Sequence, residues 1–103
     1  MTPAVAVDWD GTLVHGDTWL PGAERALLGL RRSRYEIIVH TVRAGWPQGR
    51  EQIAAKLDSL GFRENEVRIE AKPDALCYID NRGYRFTGDW QDALRHLASL
   101  EAK

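Results

Sequence analysis

Apolar positions along the chain follow two alternating rhythms. Residues 4–8 (AVAVD) and 35–41 (YEIIVHT) are short apolar runs ending in Asp8 and Thr41, the signature of buried strands. Residues 66–70 (EVRIE) alternate Val67 and Ile69, and residues 76–80 (LCYID) form another apolar run ending in Asp80. These four predict strands, and residues 84–86 predict a very short fifth at an edge. Between them the spacing changes. Ala23, Ala26, Leu27 and Leu30 fall at i, i+3, i+4 and i+7, which predicts a helix over 21–32 opened by Pro21. Ile53, Leu57 and Leu60 predict a second helix over 48–60, capped by Gly61. Trp90, Ala93, Leu94, Leu97 and Leu100 stripe a last helix over 89–101, with Asp89 as its N-cap. Residues 11–21 and the Gly45-Trp46-Pro47 break read as turn and loop.

Strands alternating with helices predict βαβ units and a mostly parallel sheet, hence an α/β fold. In such sheets ligands sit beyond the carboxyl ends of the strands. Asp8, Thr41 and Asp80 each end an apolar run, so parallel neighbouring strands would crowd them on one edge. The 103 residues fit one domain, 1–103. With 44% hydrophobic residues and a net charge of -1, the chain has the makings of a core rather than of a disordered segment. The 14 Lys and Arg against 15 Asp and Glu exclude a strongly basic nucleic-acid binder judged by bulk charge. A single cysteine, Cys77, excludes an internal disulfide; it reads as a small core residue of its strand. Three scattered His form no zinc motif. No run approaches the ~20 apolar residues of a membrane span, and the first residues lack the features of a signal peptide, so the expected compartment is the cytoplasm and no membrane partner is expected.

The sharpest chemical feature is Asp8-Trp9-Asp10-Gly11-Thr12. Two carboxylates two residues apart at a strand end repel unless a positive charge lies between them. Magnesium answers that need, since it takes oxygen ligands and shares its shell with water and substrate phosphate. Asp8, Asp10 and Asp80 are the expected metal ligands, and Lys72 and Thr41 supply a charge and a hydroxyl for phosphate oxygens. The competing reading of the Asp-rich stretch is plain turn chemistry. Trp46 beside Arg43, and Trp19 in the first loop, either stack a base or sugar near a phosphate or pack on their own loops or on a partner chain.

VDWDGTLV resembles the first motif of the haloacid dehalogenase-like hydrolase superfamily, an apolar strand followed by DxDGT. IIVHT resembles the second motif, Lys72 in AKPDA the third, and YID at residues 78–80 the fourth. The resemblance runs from Ala4 to Asp80, and the stretch from Lys72 to Trp90 is similar to small capless members from bacteria and their phages. It implies a Rossmann-like three-layer sandwich around a mostly parallel sheet of four to five strands. It implies a magnesium-dependent phosphomonoester phosphatase. Asp8 is then the nucleophile that becomes an aspartyl phosphate, and Asp10 the general acid and base whose backbone carbonyl also binds the metal. Thr41 contacts a phosphoryl oxygen, Lys72 balances charge, and Asp80 holds magnesium. Gly11, Thr12, Arg43 and Trp46 line the substrate side. The second aspartate sets the chain apart from the carbon–halogen cleaving members, which lack it.

Two departures qualify the resemblance. Asn81 stands where many relatives carry a second acid, which implies weaker metal binding. Neither residues 13–20 nor the short stretch before Lys72 can hold a cap domain, so the site is open. An open site suits a macromolecular phosphate end, or a small phosphorylated molecule enclosed by a second copy of the chain in a homodimer. The alternatives are a catalytically weak binding or regulatory module of the same fold, a nucleotide or polynucleotide phosphatase, and a phosphoacceptor receiver-like domain. The position of DxDGT directly after the first strand speaks against the last.

Overall fold

The computed structural model describes residues 3–101. Its centre is a parallel sheet of three strands: β1 (Ala4–Val7), β4 (Glu36–Thr41) and β5 (Val67–Ala71), in the order β1-β4-β5. β1 and β4 register Val7 against Val39, and β4 and β5 register Thr41 against Ala71. Burial along β4 alternates, with Ile37, Val39 and Thr41 buried and Glu36, Ile38 and His40 half-buried. That period of two places Thr41 on the core face and His40 on the opposite one.

Three helices follow the sequence expectation to within two residues at each end. α1 (Ala23–Arg32) buries Ala23, Ala26, Leu27 and Leu30, the four positions of its predicted stripe. α2 (Pro47–Ser59) buries Gly49, Ile53 and Leu57. α3 (Trp90–Glu101) buries Trp90 and packs against α1. Basic Arg31 and Arg32 end α1, where cations suit the helix dipole. Val7, Leu13, Leu27, Ile37, Val39 and Ile53 are among the residues of one continuous core.

The loop after β1 is more ordered than the sequence suggested. Val14–His15 (β2) and Thr18–Trp19 (β3) pair antiparallel as a small hairpin. Its turn is Gly16-Asp17, and Gly16 takes φ +62, a left-handed conformation that glycine adopts without a Cβ penalty.

The expected strands at 76–80 and 84–86 are not formed. Residues 72–88 are irregular, and the parallel sheet has three strands among the described residues rather than four or five. The segment satisfies itself locally instead. The Tyr78 hydroxyl donates to the Pro73 carbonyl, and Asp80 Oδ1 accepts from the amides of Arg82 at 2.7 Å and Gly83 at 2.5 Å. Such side-chain bonds compete with a strand ladder for the same backbone. Leu76 and Ile79 face solvent, and Cys77 is exposed rather than in the core. No helix among the described residues is long and apolar enough to cross a membrane.

Candidate functional site

Parallel pairing brings the ends of β1, β4 and β5 to one edge of the sheet, and with them Asp8, Thr41 and Lys72. Each is placed by the element before it. Asp8 follows β1 directly. The buried Trp9 beside it turns inward, packing edge-on against Trp19 with ring centroids 5.5 Å apart, while Asp8 and Asp10 remain solvent-accessible. The Trp9 carbonyl then accepts from the amides of Leu13 and Val14 at 2.9 and 3.1 Å, folding the loop back on itself. Gly11, at φ +78, makes that reversal possible. Lys56 lies 5.2 Å over the Trp19 ring, so Trp19 is occupied as a packing residue.

Lys72 follows β5. Its amide donates to the Thr41 carbonyl at 3.1 Å, which ties the ends of β4 and β5 together. Its ammonium approaches Asp8 Oδ2 at 3.9 Å and lies 4.3 Å over the Tyr78 ring. The other oxygen of Asp8 accepts from its neighbour Trp9 N at 2.9 Å. Thr41 is buried, and its hydroxyl accepts from Arg43 N at 3.3 Å, opening the 3₁₀ turn Val42–Gly45.

Asp10 is engaged from an unexpected direction. Arg43 donates from Nε to Oδ2 at 3.0 Å and from Nη2 to Oδ1 at 2.6 Å, a forked pair that occupies both carboxylate oxygens. The hydrogen bond to Asp10 pushes the Arg43 guanidinium above its ordinary value. A third bond, Nη1 to Gln52 Oε1 at 3.0 Å, anchors the same guanidinium to α2. The sequence had suggested Arg43 for substrate; the structure gives it to Asp10.

The other expected substrate contacts are mixed. The amides of Gly11 and Thr12 bond within the loop, to the Val14 and Trp9 carbonyls at 2.8 and 3.3 Å. Trp46, at the start of α2, is 58% exposed and presents a ring to solvent near Arg43.

Asp80 does not join the other two acids. No group of three or more His, Cys, Asp and Glu among the described residues is placed to hold a metal ion. The expected set of Asp8, Asp10 and Asp80 is therefore not assembled. The reason is local: the amides of Arg82 and Gly83 hold the Asp80 carboxylate in its own turn and keep it below the usual carboxylate range. Lys72 and Arg43 already stand beside Asp8 and Asp10 as counter-charges. The side chains of Asp8, Asp10 and Asp80 thus do not converge on one ion in this arrangement.

One tie has no forerunner in the sequence reading. Trp90 Nε1 donates to the Thr12 carbonyl at 3.0 Å, so the first residue of α3 holds the loop after Asp10. The Trp90 side chain also lies against Gly22, where a Cβ would come within 3.2 Å of Trp90 Cβ.

The parallel α/β sheet thus sets an acid, a hydroxyl and a lysine at its carboxyl edge, where sheets of this kind bind their ligands. The sequence model of the Haloacid dehalogenase-like hydrolase family matches residues 5–86, and the chain belongs to that family. No curated protein and no solved structure matches the chain.

Proposed function

We propose that this hydrolase is a phosphomonoester phosphatase that works by covalent attack from Asp8. The observation that carries the reading is the Asp8–Lys72 pair at 3.9 Å, beside Thr41 on the adjoining strand. A carboxylate paired with a lysine at this edge is a nucleophile that has its counter-charge in place. A phosphoryl transition state spreads charge over three equatorial oxygens, and a fixed ammonium and a hydroxyl answer that charge.

The steps balance on the chain's own residues. An oxygen of Asp8 bonds to phosphorus as the bond to the leaving oxygen breaks, and the leaving oxygen takes a proton from Asp10. Water then attacks the aspartyl phosphate, the bond from phosphorus to Asp8 breaks, and Asp10 recovers the proton. Lys72 offsets charge in both halves, and Thr41 donates to a phosphoryl oxygen. Positioned proton transfer of this kind contributes about 10²–10⁴-fold. Magnesium dependence comes to this reading from the family alone, and no step here runs through the ion.

The substrate is a phosphorylated small molecule or a macromolecular phosphate end. A nucleotide or polynucleotide phosphate is the version favoured by the exposed ring of Trp46, a surface on which a base can stack. A second reading, a binding module without turnover, is favoured by the withdrawal of Asp80 into its own turn.

The test is hydrolysis of p-nitrophenyl phosphate with magnesium present, alongside 5′-nucleotides and a 3′-phosphorylated oligonucleotide. The expected result is release of phosphate by the wild type and none by Asp8→Asn. Release that survives Asp8→Asn overturns the covalent route. No release from any substrate, with phosphate still bound, establishes the module. Trp46→Ala that turns over nucleotides as well as the wild type removes the stacking surface from the proposal.

A further inference from the structure

We infer that Arg43 is a phosphate-responsive latch on Asp10: its guanidinium rests on both oxygens of that carboxylate and transfers to the phosphoryl group of an arriving substrate, releasing Asp10. The inference rests on the proposed role of Asp10 in proton transfer. A carboxylate that accepts on both oxygens from one fork has no proton to give, so it must be released and take one from solvent before it can protonate the leaving oxygen. The pair must open once per turnover, and the structure shows why it can.

The root of Arg43 is fixed through its backbone, whereas its tip is held only by solvent-exposed side chains. Thr41 Oγ1 holds its amide, and its carbonyl accepts from Trp46 N at 3.2 Å. Its Cγ lies in space that only a glycine at position 49 leaves open, 2.8 Å from where a Cβ would stand. Gln52 holds one corner of the guanidinium at 3.0 Å and brings no charge of its own. The Asp10 side chain is 49% exposed and the Arg43 side chain 31%. A pair so open to water is screened and can be exchanged for a competing anion. A phosphate dianion offers the same fork geometry with more charge, so it competes on favourable terms. The hydroxyl that seats the Arg43 amide belongs to Thr41, the residue proposed to meet the phosphoryl group, so the root of Arg43 adjoins the proposed phosphoryl position. Substrate would then shift the side chain between two anionic partners by its greater affinity for one of them.

The test is titration with inorganic phosphate in chelator-containing buffer. It is followed by calorimetry and by the ¹⁵N–¹H signal of Arg43 Nε, for wild type, Arg43→Gln, Asp10→Asn and the double variant. Arg43→Gln is expected to weaken phosphate binding about tenfold, the scale of one charged hydrogen bond. Asp10→Asn tightens it, and the tightening disappears in the Arg43→Gln background. In the wild type the Nε signal moves on phosphate addition towards its Asp10→Asn position. An equal tightening by Asp10→Asn with and without Arg43 means simple removal of charge and overturns the latch. So does unchanged affinity in Arg43→Gln, or no phosphate binding by the wild type. If Arg43→Gln loses its far-UV signature, Arg43→Lys carries the same cycle, since an ammonium keeps the charge but cannot span both oxygens. The p-nitrophenyl phosphate assay with Asp8→Asn judges the phosphatase reading separately: turnover with an additive cycle sinks the latch alone, and a coupled cycle without turnover sinks the phosphatase alone.

Discussion

Two glycines inside helices separate packing from backbone propensity. Gly49 lies in α2 and Gly29 in α1. Glycine costs a helix about 0.5–1 kcal/mol relative to alanine, so Gly→Ala gains that much where there is room. At Gly29 nothing lies within 4 Å of an added Cβ. At Gly49 the added Cβ would stand 2.1 Å from the Arg43 carbonyl oxygen and 3.0 Å from the carbon of that carbonyl. Backbone cannot rotate out of the way as a flexible side chain can. The turn Val42–Gly45 would have to retreat by about 1 Å to reach ordinary contact. Overpacking of this kind costs about 1–3 kcal/mol. Gly29→Ala is therefore expected to stabilise by about 0.5–1 kcal/mol, and Gly49→Ala to destabilise by about 1–2 kcal/mol after its propensity gain. For a domain of this size each kcal/mol moves the thermal midpoint by roughly 4–8 °C, in opposite directions for the two variants. Urea melts followed by tryptophan fluorescence measure the difference directly. Because Gly49 seats the turn that carries Arg43, phosphatase turnover should fall in Gly49→Ala and hold in Gly29→Ala. Equal stability of the two variants would refute the close approach of turn and helix.

Two further predictions concern the last helix. Trp90→Phe keeps most of the ring but removes the donor to the Thr12 carbonyl, and is expected to cost about 1–2 kcal/mol in urea melts; an unchanged midpoint would refute the tie. The Tyr84 hydroxyl donates to Asp92 Oδ2 at 2.5 Å and holds that carboxyl below its usual range. A lowered carboxylate contributes stability above its unfolded value of about pH 4, and the contribution is lost as the pH falls through the lowered value. The stability gap between wild type and Tyr84→Phe should therefore be full at neutral pH and narrow in acid; a gap that stays constant from neutral pH to about pH 2 would refute the linkage.

Periodicity was a reliable guide where an element buries one face against the common core. The stripe of α1 and the alternation of β4 are plain in the residues because each position has one environment. The hairpin Val14–Trp19 escaped because its strands are only two residues each, too short for a rhythm. Gly16-Asp17 between Val14-His15 and Thr18-Trp19 was the available signal, a two-residue turn between short runs. LCYID misled for the opposite reason. Its composition is that of a buried strand, yet a strand needs a partner, and Asp80 and Tyr78 found nearer ones. The site shows the same division. Asp8, Thr41 and Lys72 converge because strand ends converge, and strands were legible. Arg43 on Asp10 and Trp90 on Thr12 are contacts between side chains and distant loops, which no local pattern encodes.

The bond from Trp90 to Thr12 has a consequence for how the protein is made. Residue 12 leaves the ribosome before its anchor, which emerges seventy-eight positions later. During that interval the nascent loop can turn on the Trp9 carbonyl, but it lacks the indole that fastens it from outside. The loop is therefore clasped only once residue 90 has emerged, and a chain cut short before that position would carry every proposed reactive group with no indole to steady the loop between them.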